Sequence, residues 1–172
     1  MAYLARRLKK LTYWPSDQDQ YSNNELISAD AITRDLTTSG DEISWWKIDN
    51  LEDAEDVGLS FVSKLDEGTG IIYIVMIPFD DISSKLNIKN TPEHGETAVI
   101  GMEQNHYDIY NLNYKTLGVL GDLVARQTSN ESHRYIASFK VKKLIEKLGQ
   151  FIDEGKVNVS KLGKYAVSKL KG

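Results

Sequence analysis

Residues 42–77, EISWWKIDNLEDAEDVGLSFVSKLDEGTGIIYIVMI, change hydrophobic period twice, and those changes decide the fold. Glu42 to Ile48 alternates, with Ile43, Trp45 and Lys47 on one side and Ser44, Trp46 and Ile48 on the other. Tryptophan and isoleucine favour a pleated surface, so this segment predicts a strand. From Leu51 the apolar positions switch to helical spacing through Ala54, Gly58, Phe61, Val62 and Leu65, behind a cap at Asp49 or Asn50. Glu52, Asp53, Glu55 and Asp56 fill the first turn, where the helix dipole favours negative charge. DEGTG at 66–70 stops the helix, and Ile71 to Ile77 is an unbroken apolar run, the pattern of a strand covered on both faces. Strand, helix and strand within 36 residues predict a crossover unit whose two strands need not be neighbours.

Toward the amino terminus, Leu4, Leu8 and Leu11 fall on one face of a predicted basic helix over residues 2–11, closed at Trp14-Pro15 because the residue before proline avoids helical geometry. PSDQDQYSNNE at 15–25 reads as a loop, and Ser28 as the N-cap of a short helix carrying Ala29, Ile32 and Leu36. Beyond Pro78, a short helix is predicted around Ile82 and Leu86. Thr97 to Met102 and His106 to Leu112 then read as a hairpin turning at Glu103-Gln104-Asn105. From Tyr114 the period is helical: Leu117, Leu120 and Val124, then Tyr135, Ile136, Phe139, Leu144, Ile145, Leu148, Phe151 and Ile152. Gly155 breaks it, and a last helix from Asn158 or Ser160 carries Leu162, Tyr165, Ala166 and Leu170. Mixed elements followed by helices predict an α+β fold: a small mixed β-sheet with a βαβ-like unit, packed helices and a helical basic C-terminal region.

The length of 172 residues, with 41% hydrophobic and 27% charged residues, suits a single domain over 1–172. The absence of cysteine excludes a disulfide framework, a thiolate metal site and a cysteine nucleophile. The longest apolar run, Ile71 to Ile77, is only seven residues, and the basic start MAYLARRLKKLTYWP lacks the apolar stretch of a signal peptide. The expectation is a cytoplasmic protein with no membrane partner. The net charge of −4 hides a segregation: residues 1–12 carry four bases and no acid, residues 13–113 carry 5 bases and 20 acids, and residues 114–172 carry 12 bases and 5 acids. An acidic body (1–113) and a basic tail (114–172) would attract partners of opposite sign, or neutralise each other.

One candidate for chemistry is ETAVIGMEQNHYDIYNLNY at 96–114. In a strand, His106, Asp108 and Tyr110 share one face. His-x-Asp suits a general base with its orienting carboxylate, or two metal ligands, and His94 and Glu96 lie just upstream. The competing reading is a solvated strand face, which the alternation with apolar residues favours. His133, within SNESHR, reads as part of a helix start capped by Asn130 or Ser129. Gly68-Thr69-Gly70 precedes a strand and opens no helix, so it is not a phosphate loop. No nucleotide, metal-protease, nucleophile-elbow or calcium-loop pattern occurs, and no cofactor or metal is expected.

The leading expectation is therefore a non-catalytic protein that binds another protein, in the manner of an antitoxin, immunity or regulatory protein of a bacterial defence or stress module. Trp45 or Trp46 would anchor the contact, flanked by Glu52, Asp53, Glu55 and Asp56, since tryptophan is enriched at binding hot spots; the competing reading puts both rings in the core, one on each face of a strand inside the sheet. The first alternative is a small enzyme of hydrolase or transferase type using His94, Glu96, His106 and Asp108. The second is a nucleic-acid-binding regulator acting through the lysine-rich C-terminal helices, with Lys140, Lys142, Lys143 and Lys147 followed by Lys156, Lys161, Lys164, Lys169 and Lys171.

Overall fold

A computed structural model of the chain describes residues 1–16, 27–130 and 134–171. Strands β1 (Tyr3–Leu8), β2 (Ile43–Ile48), β3 (Ile71–Pro78), β4 (Asn87–Asn90), β5 (His106–Tyr110) and β6 (Ile136–Lys140) form one sheet in the order β4-β5-β2-β1-β3-β6. Five α-helices accompany it among the described residues: α1 (Ala54–Ser63), α2 (Phe79–Ser83), α3 (Tyr114–Thr128), α4 (Val141–Asp153) and α5 (Lys164–Leu170). The fold is α+β, as the order of periods predicts.

The unit at 42–77 forms as read. Asn50 caps the approach to α1 in a reciprocal box with Asp53, whose side chain accepts from the Asn50 backbone at 3.0 Å. β2 and β3 are not paired with each other. β1 lies between them and pairs antiparallel with both, Ala5 opposite Trp46 on one side and Met76 on the other. The crossover is thus split by the amino-terminal strand. Every pairing is antiparallel, so the sheet is not the mixed one expected.

The segment expected as a helix over residues 2–11 is the central strand instead. Leu4 and Leu8 share a face at either period, and the paired arginines between them imitate a polar helical face. Tyr3, Leu4 and Ala5 are all buried because a central strand is covered on both sides. Only Leu11–Tyr13 is helical there, as a single 3₁₀ turn. The short helix after Ser28 does form: the Ser28 hydroxyl accepts from the Asp30 amide at 3.2 Å, and Ala31–Asp35 continues in π geometry.

Each sheet face has its own core. On one side Trp46, Ile72, Ile74 and Met76 pack with Val57 and Leu59 of α1 and Leu144 and Leu148 of α4. On the other, Trp45, Val75, Ile77 and Ile109 pack with Leu36 and with Leu120 and Val124 of α3. Trp45 and Trp46 are both buried, one in each core, so neither stands at the surface as an interface anchor.

Two further corrections concern the second half of the chain. Tyr135 to Phe139 does not continue the helical run: Ile136–Lys140 is edge strand β6 on β3, and the helix starts only at Val141. Residues 97–102 do not pair with β5. Val99 makes an isolated bridge to Val157, flanked by bonds from Ile100 N to Lys156 O and from Asn158 N to Ala98 O, so the C-terminal segment holds this stretch. The neighbours of β5 are β2 and the edge strand β4, whose sequence NIKN lacks any apolar alternation. The predicted cap at His133 lies outside the described residues, as does most of the loop at 15–25; Ser129 instead ends α3.

Candidate functional site

Residues 91–106 position the site. Thr91 continues β4 by donating its amide to His106 O at 2.9 Å, Pro92–His94 forms a 3₁₀ turn, and Met102–Asn105 forms a second turn leading into β5. The two turns meet through Gly95. A methyl group added there would lie 3.0 Å from Glu103 Cα and 3.1 Å from His106 Cβ, tight enough that these neighbours would have to give by a few tenths of an ångström. Glycine therefore lets this loop fold down over the outer half of β5.

That cover overturns the solvated-face reading of β5. His106 and Asp108 are each only 2% exposed. The His106 ring meets Trp46 edge-on at 5.1 Å, and its Nδ1 lies 3.0 Å from both the hydroxyl and the carbonyl oxygen of Thr91. Asp108 is surrounded by donors. Ser44 Oγ donates to Oδ1 at 3.0 Å, Thr91 Oγ1 donates to Oδ2 at 2.8 Å, and His94 Nδ1 lies 2.7 Å from Oδ2. His94 itself is half-exposed, with 48% of its side chain accessible. A buried carboxylate thus holds one nitrogen of an imidazole that faces solvent.

Proton counting fixes the tautomers. Asp108 bound to three donors is an acceptor, so His94 carries its proton on Nδ1 and leaves Nε2 as the free nitrogen. Thr91 has one hydroxyl proton and gives it to Asp108. Its Oγ1 can only accept from His106, whose Nδ1 is therefore also protonated.

The electrostatics follow from the same contacts. Burial alone would push the Asp108 carboxyl up, but the hydrogen bonds from His94, Thr91 and Ser44 outweigh it and hold the group below its ordinary range. The bond to Asp108 raises His94. Desolvation lowers His106, which stays neutral in its pocket.

Glu42 and Lys89 complete the rim. Lys89 is the register partner of Asp108 on β4, and its ammonium pairs with Glu42 at 2.5 Å over the Tyr110 ring. Ligand atoms of Glu42, His94 and Asp108 all lie within 4.8 Å of one another, a spacing that suits a cation. Each carboxylate already has a counter-charge from the chain, however: Lys89 on Glu42, and His94 on Asp108 when protonated. Any ion would have to displace these contacts. Behind the site, Arg6 reaches from β1 to Ser44 O and Asp35 O. Burial lowers its pKa to about 10, with Asp35 and Asp108 opposing the shift.

Of the four catalytic candidates, the structure brings His94, His106 and Asp108 together and leaves Glu96 exposed outside the hydrogen-bonded group. Sequence reasoning missed Ser44, Thr91, Glu42 and Lys89. Their only signal is the register, which sets Ser44 and Lys89 on either side of Asp108. The six interaction candidates do not form one exposed face. Trp45 and Trp46 are core, Asp53 caps Asn50, and Glu55 pairs with Lys147 of α4 at 2.5 Å. Burial raises the Asp56 carboxyl, and Glu52 is exposed. The Lys147 pair is a direct contact between the acidic body and the basic tail.

No family model, curated protein or solved structure matches this chain. No helix among the described residues is long and apolar enough to cross a membrane.

Proposed function

We propose that the protein is a small enzyme of hydrolase or transferase type whose acid–base group is His94, oriented by Asp108. The observation that carries this reading is the 2.7 Å contact between a half-exposed imidazole and a carboxylate that is 2% exposed. A surface ion pair would not need a buried partner fixed by two further hydroxyls. A general base does, because its free nitrogen must keep one direction and one tautomer while the substrate changes. Ser44 is exposed but donates to Asp108 and not to His94, so the order of contacts is not that of a serine nucleophile. His94 Nε2 would act on a water or on a substrate hydroxyl.

The test is turnover of p-nitrophenyl acetate, p-nitrophenyl phosphate and bis(p-nitrophenyl) phosphate by the purified chain. His94→Gln should lower the active rate by roughly 10²–10⁴-fold, the usual worth of general base catalysis. Glu96→Gln, outside the hydrogen-bonded group, should leave it unchanged. Equal rates in wild type and His94→Gln on all three contradict the reading.

A second reading, a non-catalytic protein whose acidic body binds a basic partner, draws on the 20 acids against 5 bases over residues 13–113. It has less to rest on once both tryptophans are in the core and Glu55 is paired within the chain.

A further inference from the structure

The hydrogen bonds at the site do not end at the dyad. His106 Nδ1, Thr91 Oγ1, Asp108 Oδ2 and His94 Nδ1 form a chain with steps of 3.0, 2.8 and 2.7 Å. It runs from an imidazole that is 2% exposed to one that is half-exposed. We propose that His106 and Thr91 are positioning residues of the dyad: the buried imidazole orients the Thr91 hydroxyl toward Asp108 and so sets how strongly Asp108 holds the proton of His94. The catalytic meaning rests on the reading of His94 as the acid–base group. The coupling itself is measurable without turnover.

A hydroxyl rotates freely unless something fixes it, and Thr91 has two acceptors within reach only if His106 presents a lone pair at Nδ1. The Thr91 carbonyl, also 3.0 Å from that nitrogen, requires a proton there instead. With His106 donating, the Thr91 hydroxyl proton has Asp108 Oδ2 as its partner. An O–H that accepts an N–H bond is also a stronger donor, since linked hydrogen bonds polarise one another. Thr91 and His94 then compete for the same carboxylate oxygen, so weakening Thr91 strengthens the hold on His94.

Among the described residues, the other charged groups facing the dyad are Glu42 just before β2, Lys89 on β4, Glu93 on the same turn as His94, and Arg6 on β1. All four remain in the variants below. Gly95 supplies no charge but keeps the turn carrying His94 against His106.

The experiment is a pH titration of the imidazole resonances in the full chain, whose three histidines are assigned by single substitution. Thr91→Val keeps the shape and removes the hydroxyl; it should raise the His94 midpoint by about half a pH unit or more, the scale of losing one hydrogen bond to a charged group. Thr91→Ser should restore the wild-type value. His106→Leu should shift the midpoint in the same direction, and His106→Gln, whose amide can still donate to Thr91, should not. If His106→Leu does not fold, the Thr91 pair decides alone. A His94 midpoint equal in Thr91→Val and Thr91→Ser, or lowered by Thr91→Val, overturns the proposal. A shifted midpoint in a chain without turnover supports the coupling and removes only the catalytic reading.

Discussion

At the scale of single residues, the two histidines of the site have opposite environments and predict opposite pH behaviour. His94 is raised above the ordinary 6.5 by its bond to Asp108. The folded state therefore binds its proton more tightly than the unfolded one, and the stabilisation from this pair is present below 6.5 and fades as pH rises through the folded value. His106 is lowered from 6.5 by burial, so the unfolded state binds its proton more tightly and stability is lost as pH falls below 6.5. Urea denaturation across pH 5–8 checks both, on the ordinary range in which histidine titrates. His94→Gln should flatten the loss on the alkaline side, and His106→Gln the loss on the acid side. His106→Leu should also cost about 1–3 kcal/mol at neutral pH, because it removes the buried donor that bonds both Thr91 oxygens. A solvated strand-face histidine would give at most about 0.5 kcal/mol. The Asp108 spacing from His106 was legible in the sequence; its burial was not. Burial depends on the turn at 92–95, and nothing local in PEHGE says that it folds back over β5.

At the scale of elements, the segments with one clear period are those the sequence reveals: β2 and α1 form within the predicted limits, and β3 exceeds them by one residue, at Pro78. The misread segments had two valid interpretations. YLARRL suits either period, and Tyr135 to Phe139 is apolar at spacings that serve a helix or an edge strand. β4 had no signal, since a four-residue polar edge strand is held by its backbone bonds to β5. The consequence for β1 is testable. As the central strand, Tyr3–Leu8 should show amide-exchange protection equal to that of Ile71–Pro78, whereas an amino-terminal helix would fray and exchange faster. The loop over the site makes a second prediction. Gly95→Ala pushes a methyl group against the backbone at Glu103 and should destabilise by about 1–3 kcal/mol, read from denaturant unfolding, while raising the exposure of His106 to histidine-modifying reagents.

At the scale of the whole molecule, the charge segregation becomes a packing relation. The basic C-terminal part supplies an edge strand of the sheet, and α4 lies against α1 with Lys147 paired to Glu55. Removing residues 131–172 would expose Val57, Ile72 and Ile74 on the sheet and α1, at roughly 1.5–3 kcal/mol per large side chain, so that fragment should be insoluble or fail to melt cooperatively. The same global arrangement assembles the site from three strands and a loop: Ser44 from β2 with Glu42 just before it, Lys89 from β4, His106 and Asp108 from β5, and Thr91 and His94 from the connection. A linear motif search cannot find such a set, because Ser44 and Asp108 are 64 positions apart. Whether these residues work as a unit is the central claim, and the most direct measurement is a double-mutant cycle on turnover with Asp108→Asn, His94→Gln and their combination. Residues acting as one catalytic group are strongly non-additive. The account predicts that each single change lowers the rate by a similar factor and that the double variant is no slower than His94→Gln alone; losses that multiply, or an Asp108→Asn enzyme with wild-type turnover, would contradict it.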